Sequence, residues 1–446
     1  MNQPGINPKT LQRLRHKQHQ SQSQQQHKLL LQRTARTLPL SSLVFDPTSA
    51  FQRHQLTKQN PSKLKVVDQK SSGRCWLFAA LNLIRHQSAP KLGREQEFEL
   101  SAAYLMFYDK LEKSVLFLHN IWKTRDKSID SRAVQHLLQN PPVSDGGQFS
   151  MFLDLVEKYG CVPVEVYPDS VHASRTKELN ELLATILRYF AKQVRQSENE
   201  VNFQKLVNQA VHTVYELLTC ALGSPPEEFE FNSQKFTPLQ FYRNVLEPRD
   251  LDEYVVLVNV PQSDRPMNQP YEVSSLGSMV GGRAVRYLNV DLETMIFCVT
   301  QTLDMDLRVW FGSFVNDCRH EKEGLLDTEA FDCGYQVLLG LDVCLDRSER
   351  LRYRQSAVTH AMVFSGYHVD AATGRAKSFR VENSWGPTHK EGYFDMTRKW
   401  FERNVYEVAV PPSVVPADLL RLWLSGKPRE LPMWDPLGML LGPECC

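Results

Sequence analysis

The segment that most constrains the fold is "SSGRCWLFAALNLIRHQ", residues 71–87. A turn containing Gly73 leads into a run, from Cys75 onward, that is apolar on nearly every side. A surface helix carries one apolar stripe, whereas a helix that is apolar all round is buried at the centre of a larger protein. We therefore predict a central buried helix over residues 75–87, with Pro90 just beyond its end.

Cys75 would lie in the first turn of this helix. Backbone N–H groups without an intrahelical partner and the helix dipole both favour a thiolate over a thiol at that position. A lone buried cysteine is more often inert. A nucleophile at Cys75 therefore requires a base and an orienting group from elsewhere in the chain.

Both groups occur in "THAMVFSGYHVDAATGRAKSFRVENSWGP", residues 359–387. Two apolar runs flank the turn "DAATGRA", which predicts a β-hairpin centred between residues 371 and 372. In that register His360 lies opposite Asn383, within side-chain reach. Singly, a core histidine and a turn asparagine are the more frequent interpretations. Together they match the Cys–His–Asn form of the catalytic triad, with Trp385 shielding the His360–Asn383 hydrogen bond.

Gln69 is a candidate for the remaining catalytic role. Attack on a carbonyl needs hydrogen-bond donors for the developing oxyanion. The Gln69 side-chain N–H and the Cys75 backbone N–H would form a two-donor hole, although Gln69 taken alone is an ordinary surface glutamine.

The order of sequence patterns indicates the fold class. Helical spacing occupies residues 99–122 and 175–222, with a break at "GSPPEEF". Strand-like runs follow at residues 253–261, 361–369, 378–383 and 406–411. Helices followed by strands predict an α+β protein with a helical half packed against a β half.

Charge is unevenly distributed. Of 52 Lys and Arg residues, seven lie in residues 1–45, which contain no acid; the remainder carries 45 basic and 51 acidic residues, a net charge of −6. An acidic body argues against a general nucleic-acid surface. The glutamine-rich residues 1–37 are expected to be a disordered tail, with a transit peptide or a basic nucleic-acid-binding arm as alternatives.

Several classes of protein are disfavoured. No run approaches the ~18 apolar residues of a membrane span, and no signal peptide is evident. Nine cysteines without a CxxC pair indicate free thiols in a reducing compartment, the cytoplasm by default. No HExxH motif or Cys/His cluster is present, so no metal and no cofactor are expected.

The motifs together resemble a known family. "SGRCW" is similar to the papain-like cysteine protease signature, with Ser72 where secreted members have a cysteine. Cys75 and His360 are 285 residues apart, against ~130–150 in papain relatives, which predicts a large helical insertion. A longer match is to the bleomycin hydrolase branch over about residues 60–442, through "QKSSGRCWLF", "NPPVSDGGQF", "VEKYGCVP", "SMVGGR", "VWFG", "THAMVFSGY", "RVENSWG", "GYFDMTRKWF" and "LPMWDPLGML".

The resemblance implies a papain-like α+β fold, with a helical half, an antiparallel β half and a helical insertion. It assigns Cys75 as nucleophile, His360 as general base and acid, Asn383 as the orienting residue and Gln69 as oxyanion donor. Three more residues bind the substrate: Gly146 and Gly147 at the cleft wall, and Trp385.

The resemblance also implies a division of the chain. The segments are an N-terminal arm (1–60), largely disordered; a helical half with the nucleophile helix (61–170); an insertion used in oligomerisation (171–252); a β-rich half carrying the histidine and asparagine (253–430); and a C-terminal tail near the cleft (431–446).

The expected function is that of a cysteine aminopeptidase. Members of the family form homohexamers, and the carboxylate of the C-terminal tail meets the free amino group of a peptide or amide substrate. Here "LGPECC" extends beyond the usual end, so the extra residues turn aside, are trimmed or block the cleft. The alternative is a noncatalytic or autoinhibited relative that acts in assembly or binds nucleic acid.

Overall fold

The computed structural model describes residues 8–17, 22–47, 58–59, 64–94, 96–139, 142–331, 343–387 and 390–438. Half of the expected C-terminal tail (431–446), residues 439–446, lies outside these ranges.

The longer helices fall in the first half of the chain. Between residues 75 and 222 the α-helices are Cys75–Ser88, Ala102–Lys123, Arg132–Gln139, Phe149–Tyr159, the short Val171–Ser174, Lys177–Arg195 and Glu200–Leu222. Later helices are Leu292–Asp304, Arg347–Arg352, Arg398–Asn404 and Ala417–Ser425. The expected helical region at residues 99–122 is one helix, which the Ser101 side chain caps by accepting a hydrogen bond from Tyr104 N–H.

The region of the expected insertion is mainly helical. Its last long helix begins at the cap residue Asn199 and ends before Gly223, whose φ of 90° requires glycine. A small hairpin of Phe229–Phe231 with Gln234–Phe236 and a π-helix, Phe241–Leu246, follow.

The strands of the second half form one mixed sheet. Its order across the described residues is Arg429–Leu431, Gln269–Val273, Arg286–Asn289, Val255–Val258, Val405–Val410, Val309–Ser313, His360–Val369, Ala376–Glu382, Tyr393–Thr397, Leu325–Leu326 and Arg319–His320, with Lys58–Gln59 also paired to His360–Val369. The centre is antiparallel, and three of the described strand pairs nearer the edges are parallel.

The hairpin between His360 and Asn383 forms, but the expected register is wrong. Val369 pairs with Ala376 and Val363 with Glu382, so the hairpin is centred between residues 372 and 373. The turn sets this centre, because the Asp370 carboxylate accepts hydrogen bonds from the N–H groups of residues 372 and 373. Asn383 therefore lies beyond the paired strand, at the level of Met362.

The two faces of the central sheet pack against different elements. One face presents Trp310 and Ala361 to the Cys75–Ser88 helix, and Trp310 Nε1 donates to the backbone oxygen of Trp76 at 3.3 Å. The other face carries an aromatic stack that includes Phe311 and Phe364, with ring centroids 3.9 Å apart. Burial on both faces explains the continuous apolar runs of the central strands.

The chain divides into two compact units. One consists of residues 1–52 with 328–343, and the other of residues 53–327 with 344–446. The first unit contains the helices Pro8–Lys17 and Gln22–Ala35. Gln, Leu, Lys and Arg, which are frequent there, have high helix propensity.

No helix in the described part of the chain has both the length and the hydropathy needed to cross a membrane.

Candidate active site

Cys75 is the first residue of the buried Cys75–Ser88 helix and is itself fully buried. Its Sγ accepts a hydrogen bond from the backbone N–H of Ala361 at 3.4 Å. Ala361 immediately follows His360, so the β-sheet brings the sulfur to the base of the histidine across 285 residues of sequence. The helix start supplies the electropositive environment that favours a thiolate.

His360 and Asn383 are in direct contact. His360 Nε2 and Asn383 Oδ1 are 2.7 Å apart, and both side chains are buried. His360 Nδ1 is buried and has no hydrogen-bond partner among the described residues. Asn383 thus fixes the ring through one nitrogen and leaves the other for a reacting group, as the triad logic requires.

Burial lowers the pKa of His360 to about 4, with a further lowering from the Arg319 charge, while the hydrogen bond to Asn383 acts in the opposite direction. At neutral pH the imidazole is therefore uncharged and can accept a proton.

Trp385 covers the histidine. Its ring stacks on the His360 imidazole with centroids 4.8 Å apart and an angle of 30°. The guanidinium of Arg319 lies 4.5 Å from the centroid of the same indole. The Trp385 indole therefore lies between the His360 imidazole and the Arg319 guanidinium, and its shielding of the His360–Asn383 hydrogen bond stays a prediction.

Gln69 is held in a buried loop beside the asparagine. Its Nε2 donates to the Ser72 carbonyl at 2.6 Å, and its Oε1 accepts from Ser384 Oγ at 2.6 Å. The backbone N–H of Gln69 also donates to the Ser384 carbonyl at 2.8 Å. These contacts fix the side-chain amide, whose Nε2 has a second hydrogen that the Ser72 contact does not use.

Gly147 lies against Trp76, the residue that follows Cys75, and Gly146 contacts Lys113. An added Cβ on Gly147 would be 2.5 Å from Cε2 of Trp76, so only glycine fits there. The carbonyl of Gly146 accepts from Lys113 Nζ at 2.6 Å. The contacts with Trp76 and Lys113 fix the positions of the two glycines, and their place in a cleft wall stays a prediction.

Asp145 was missed by the sequence interpretation. Its buried carboxylate accepts from Gly73 N–H at 3.0 Å, from Lys110 Nζ at 2.5 Å and from Asn180 Nδ2 at 2.9 Å, and it also bonds Thr176 Oγ1. Burial alone would raise its pKa, but the lysine charge and these hydrogen bonds lower it. Through these hydrogen bonds, Asp145 connects the turn before Cys75 to the helices Ala102–Lys123 and Lys177–Arg195.

Glu382, next to Asn383, was also missed. Its buried carboxylate accepts from His86 Nε2 at 2.7 Å, Arg308 Nη1 at 3.2 Å and Asn82 Nδ2 at 3.2 Å. Burial opposes ionisation, yet the interaction with His86 and the charges of Arg308 and Arg85 lower the pKa of Glu382 to about 2. Burial lowers the pKa of His86 to about 4, with a further lowering by the Arg308 charge, so His86 is a neutral donor.

A sequence signal for this network existed. Asn82, Arg85 and His86 stand at positions i, i+3 and i+4 of an otherwise apolar helix, on one face. Polar side chains inside a buried helix need partners, which in this protein include the strand that carries Glu382.

No group of three or more His, Cys, Asp or Glu side chains within the described ranges is arranged to hold a metal ion.

Comparison with known proteins agrees with this geometry. The model of the Peptidase C1-like family matches residues 7–438. Aminopeptidase C of Listeria monocytogenes is 34% identical over 425 residues, covering 93% of this chain and 95% of its own. Cysteine proteinase 1, mitochondrial, of Saccharomyces cerevisiae is 38% identical over 397 residues, covering 84% of this chain and 80% of its own.

The crystal structure of PepW from Lactobacillus rhamnosis HN001 superposes with a TM-score of 0.90 at 33% identity, covering 98% of this chain and 99% of that one. The similarity in sequence and in structure extends over nearly the whole chain, which confirms the expected papain-like α+β fold. The chain belongs to the Peptidase C1-like family.

Proposed function

We propose that the protein is a cysteine-type aminopeptidase, which removes residues from free amino termini of peptides or amides through an acyl-enzyme on Cys75. The observation that carries the proposal is the assembled triad. His360 is oriented by Asn383 through Nε2, its Nδ1 has no partner among the described residues, and Cys75 Sγ lies against the next residue of the same strand. The relatives named aminopeptidase C support the exopeptidase assignment.

The steps follow from these positions. His360 accepts the thiol proton, and the sulfur of Cys75 attacks the first carbonyl carbon to form a tetrahedral oxyanion. Gln69 Nε2 and the backbone N–H of Cys75 donate to that oxygen. His360 returns the proton to the amine as the C–N bond breaks. Water, deprotonated by His360, then attacks the thioester, and the acid leaves as the sulfur is released.

The substrate assignments are proposals of the same kind. Gly146 and Gly147 offer a wall without side chains along which a peptide backbone can pair with the enzyme. Trp385 lies on the histidine side of the sulfur, where the amine leaves. Selection of a free amino terminus by the C-terminal tail involves residues 439–446, outside the described part of the chain.

The test uses unblocked and N-acetylated aminoacyl aminocoumarin amides. We expect release of fluorophore from unblocked amides, loss of at least about 1,000-fold in kcat with Cys75→Ala, and little activity on the acetylated series. Cys220→Ser, which changes an exposed cysteine, is the matched control and should retain activity. Cleavage confined to acetylated peptides would instead establish an endopeptidase, and inactivity of a fully folded protein would contradict the proposal.

We also propose a homohexamer in which the helices of residues 171–222 contribute to assembly. Large apolar side chains are exposed there, including Val171, Tyr189 and Val201, and an exposed apolar surface marks an interaction site. Light scattering after size-exclusion chromatography measures the mass. A monomer at micromolar concentration would contradict this proposal.

The location we propose is the cytoplasm. Among the described residues, Cys161, Cys220 and Cys298 are free thiols, which is compatible with a reducing compartment. The yeast relative is named as mitochondrial, and fluorescence microscopy of a tagged chain distinguishes the two locations.

The alternative, a noncatalytic assembly or nucleic-acid-binding protein, predicts a different result. Salt-sensitive binding of a DNA duplex, lost on deletion of residues 1–45, together with an unreactive Cys75, would favour it. The assembled triad favours catalysis.

A further inference from the structure

A second buried glutamate, Glu407, takes no part in the mechanism above. It lies in the strand Val405–Val410 and is 1% exposed. Its Oε1 is buried and no described residue donates a hydrogen bond to it. Burying an ionisable group without a partner lowers the stability of the folded protein. Such groups are found preferentially at functional sites.

Strand pairing places Glu407 on the side of the sheet that faces the nucleophile. Gly312 pairs with Ala361 on one side and with Glu407 on the other. Paired residues of neighbouring strands point to the same face. Glu407, Gly312 and Ala361 therefore form a row, and the N–H of Ala361 donates to Cys75 Sγ.

The glycine in this row makes room for the carboxyl group. A Cβ on Gly312 would lie 2.3 Å from Glu407 Oε1 and 2.8 Å from Val358 Cγ1. The Glu407 carboxyl group thus occupies the space over Gly312, in the strand Val309–Ser313 that pairs with the strand of Ala361. Oε1 of Glu407 therefore lies over the strand that separates the Glu407 strand from the Ala361 strand.

No described cation close to the Glu407 carboxyl group stabilises its ionised form. Val358 is apolar, and Tyr287 is a buried phenol whose pKa is raised by burial and further by the Glu407 and Asp435 charges. Burial raises the pKa of Glu407 to about 8, with no compensating contribution from a cation. A cationic group brought to this position would restore the ionised state and pair with it.

We propose that Glu407 is a substrate-binding residue that receives an ammonium or guanidinium group of the substrate beside Cys75. The inference rests on the proposed function and deepens it, since it names a charge that the substrate carries. Two groups of a substrate can supply this cation: the α-ammonium group of a free amino terminus, or the side chain of a lysine or arginine.

The first experiment compares wild type, Glu407→Gln and the control Glu402→Gln, whose side chain is partly exposed and pairs with Arg398. The substrates are lysyl, norleucyl and hexanoyl aminocoumarin amides, which remove first the side-chain charge and then the α-ammonium group. A fall in kcat/KM of about 10-fold or more for lysyl relative to norleucyl amide, in Glu407→Gln only, assigns the side-chain source. An equal fall for lysyl and norleucyl amides, with hexanoyl amide unchanged, assigns the α-ammonium source.

Unaltered ratios among the three substrates in Glu407→Gln would overturn the proposal. Gly312→Ala is a second variant, because its Cβ displaces the carboxyl group while the glutamate remains. It should change the same ratio in the same direction. Circular dichroism verifies that each variant is folded.

A second readout does not depend on turnover. Lysyl and norleucyl chloromethyl ketones alkylate Cys75, and intact-mass spectrometry gives the two rates. If amides are not hydrolysed but Glu407→Gln abolishes a faster reaction with the lysyl reagent, the proposed function fails and the cation site stands. If hydrolysis occurs but neither alkylation nor hydrolysis depends on Glu407, the cation site fails alone.

Discussion

Glu382 and Glu407 are both 1% exposed and both belong to the central sheet, yet they lie in opposite environments. Around Glu382 three donors converge, and the pKa is lowered to about 2. Around Glu407 no described donor reaches Oε1, and the pKa is raised to about 8. Burial is the same in the two regions, so the partners decide which carboxyl group is charged.

The comparison separates two uses of a buried acid. The region of Glu382 connects the Cys75–Ser88 helix to the residue before Asn383. In the region of Glu407, the buried Oε1 accepts no hydrogen bond from a described residue. The first arrangement is expected to stabilise the folded protein and the second to destabilise it until a ligand is bound.

The largest effect is expected from Glu382→Ala. The change leaves the buried Arg308 charge without its carboxylate, which costs about 3–5 kcal/mol in the free energy of unfolding. Urea denaturation at pH 7 measures it. A loss below about 1 kcal/mol would remove the distinction between the two glutamates.

Glu407→Gln is expected to increase the free energy of unfolding, whereas Glu382→Ala decreases it. Between pH 4.5 and about 8 the unfolded chain releases the Glu407 proton while the folded chain retains it, so the unfavourable contribution grows as pH rises through this window and is complete above about 8. The variant should therefore be more stable than wild type by about 2–4 kcal/mol at pH 8, and nearly equal at pH 5. Thermal and urea unfolding at both pH values provide the check; equal stabilisation at both would refute the raised pKa.

Gly312→Ala sharpens the comparison at the level of packing. Its Cβ meets the Glu407 carboxyl group, and overpacking of this kind costs about 1–3 kcal/mol. The cost should be smaller when measured in a Glu407→Ala background, where the oxygen is absent. Gly277→Ala is the control, since the nearest atom to its added Cβ is 3.7 Å away. Identical costs in both backgrounds would show that the carboxyl group does not occupy this space.

The smallest effect is expected from His86→Gln. Because His86 is a neutral donor to Glu382, a glutamine amide can replace its hydrogen bond, and the loss should stay below about 1 kcal/mol at pH 7. A loss as large as that of Glu382→Ala would mean that a charged imidazole, and not Arg308, balances the glutamate.

The sequence predicted those parts of the site that local patterns encode. The apolar run after Gly73 gave the nucleophile helix, and the two apolar runs around "DAATGRA" gave the hairpin that joins His360 to Asn383. The predicted pairing of Asn383 with His360 differs from the observed register by two residues at the open end of the hairpin. The reason is that the Asp370 side chain binds backbone N–H groups of the turn and moves its centre. Side chains such as Asp145, Glu382 and Glu407 escaped prediction because their environments come from residues far apart in the chain.

The hydrogen-bond partners of Asp145 indicate how much of the chain can be removed without disturbing the fold. Thr176 and Asn180 lie in the region that the sequence led us to expect as an insertion, and they bind the carboxylate that accepts from Gly73 N–H. Trimming that region to obtain a smaller protein is therefore expected to loosen the turn that precedes the Cys75–Ser88 helix. The length of the chain and the order of this turn are linked through a single carboxylate.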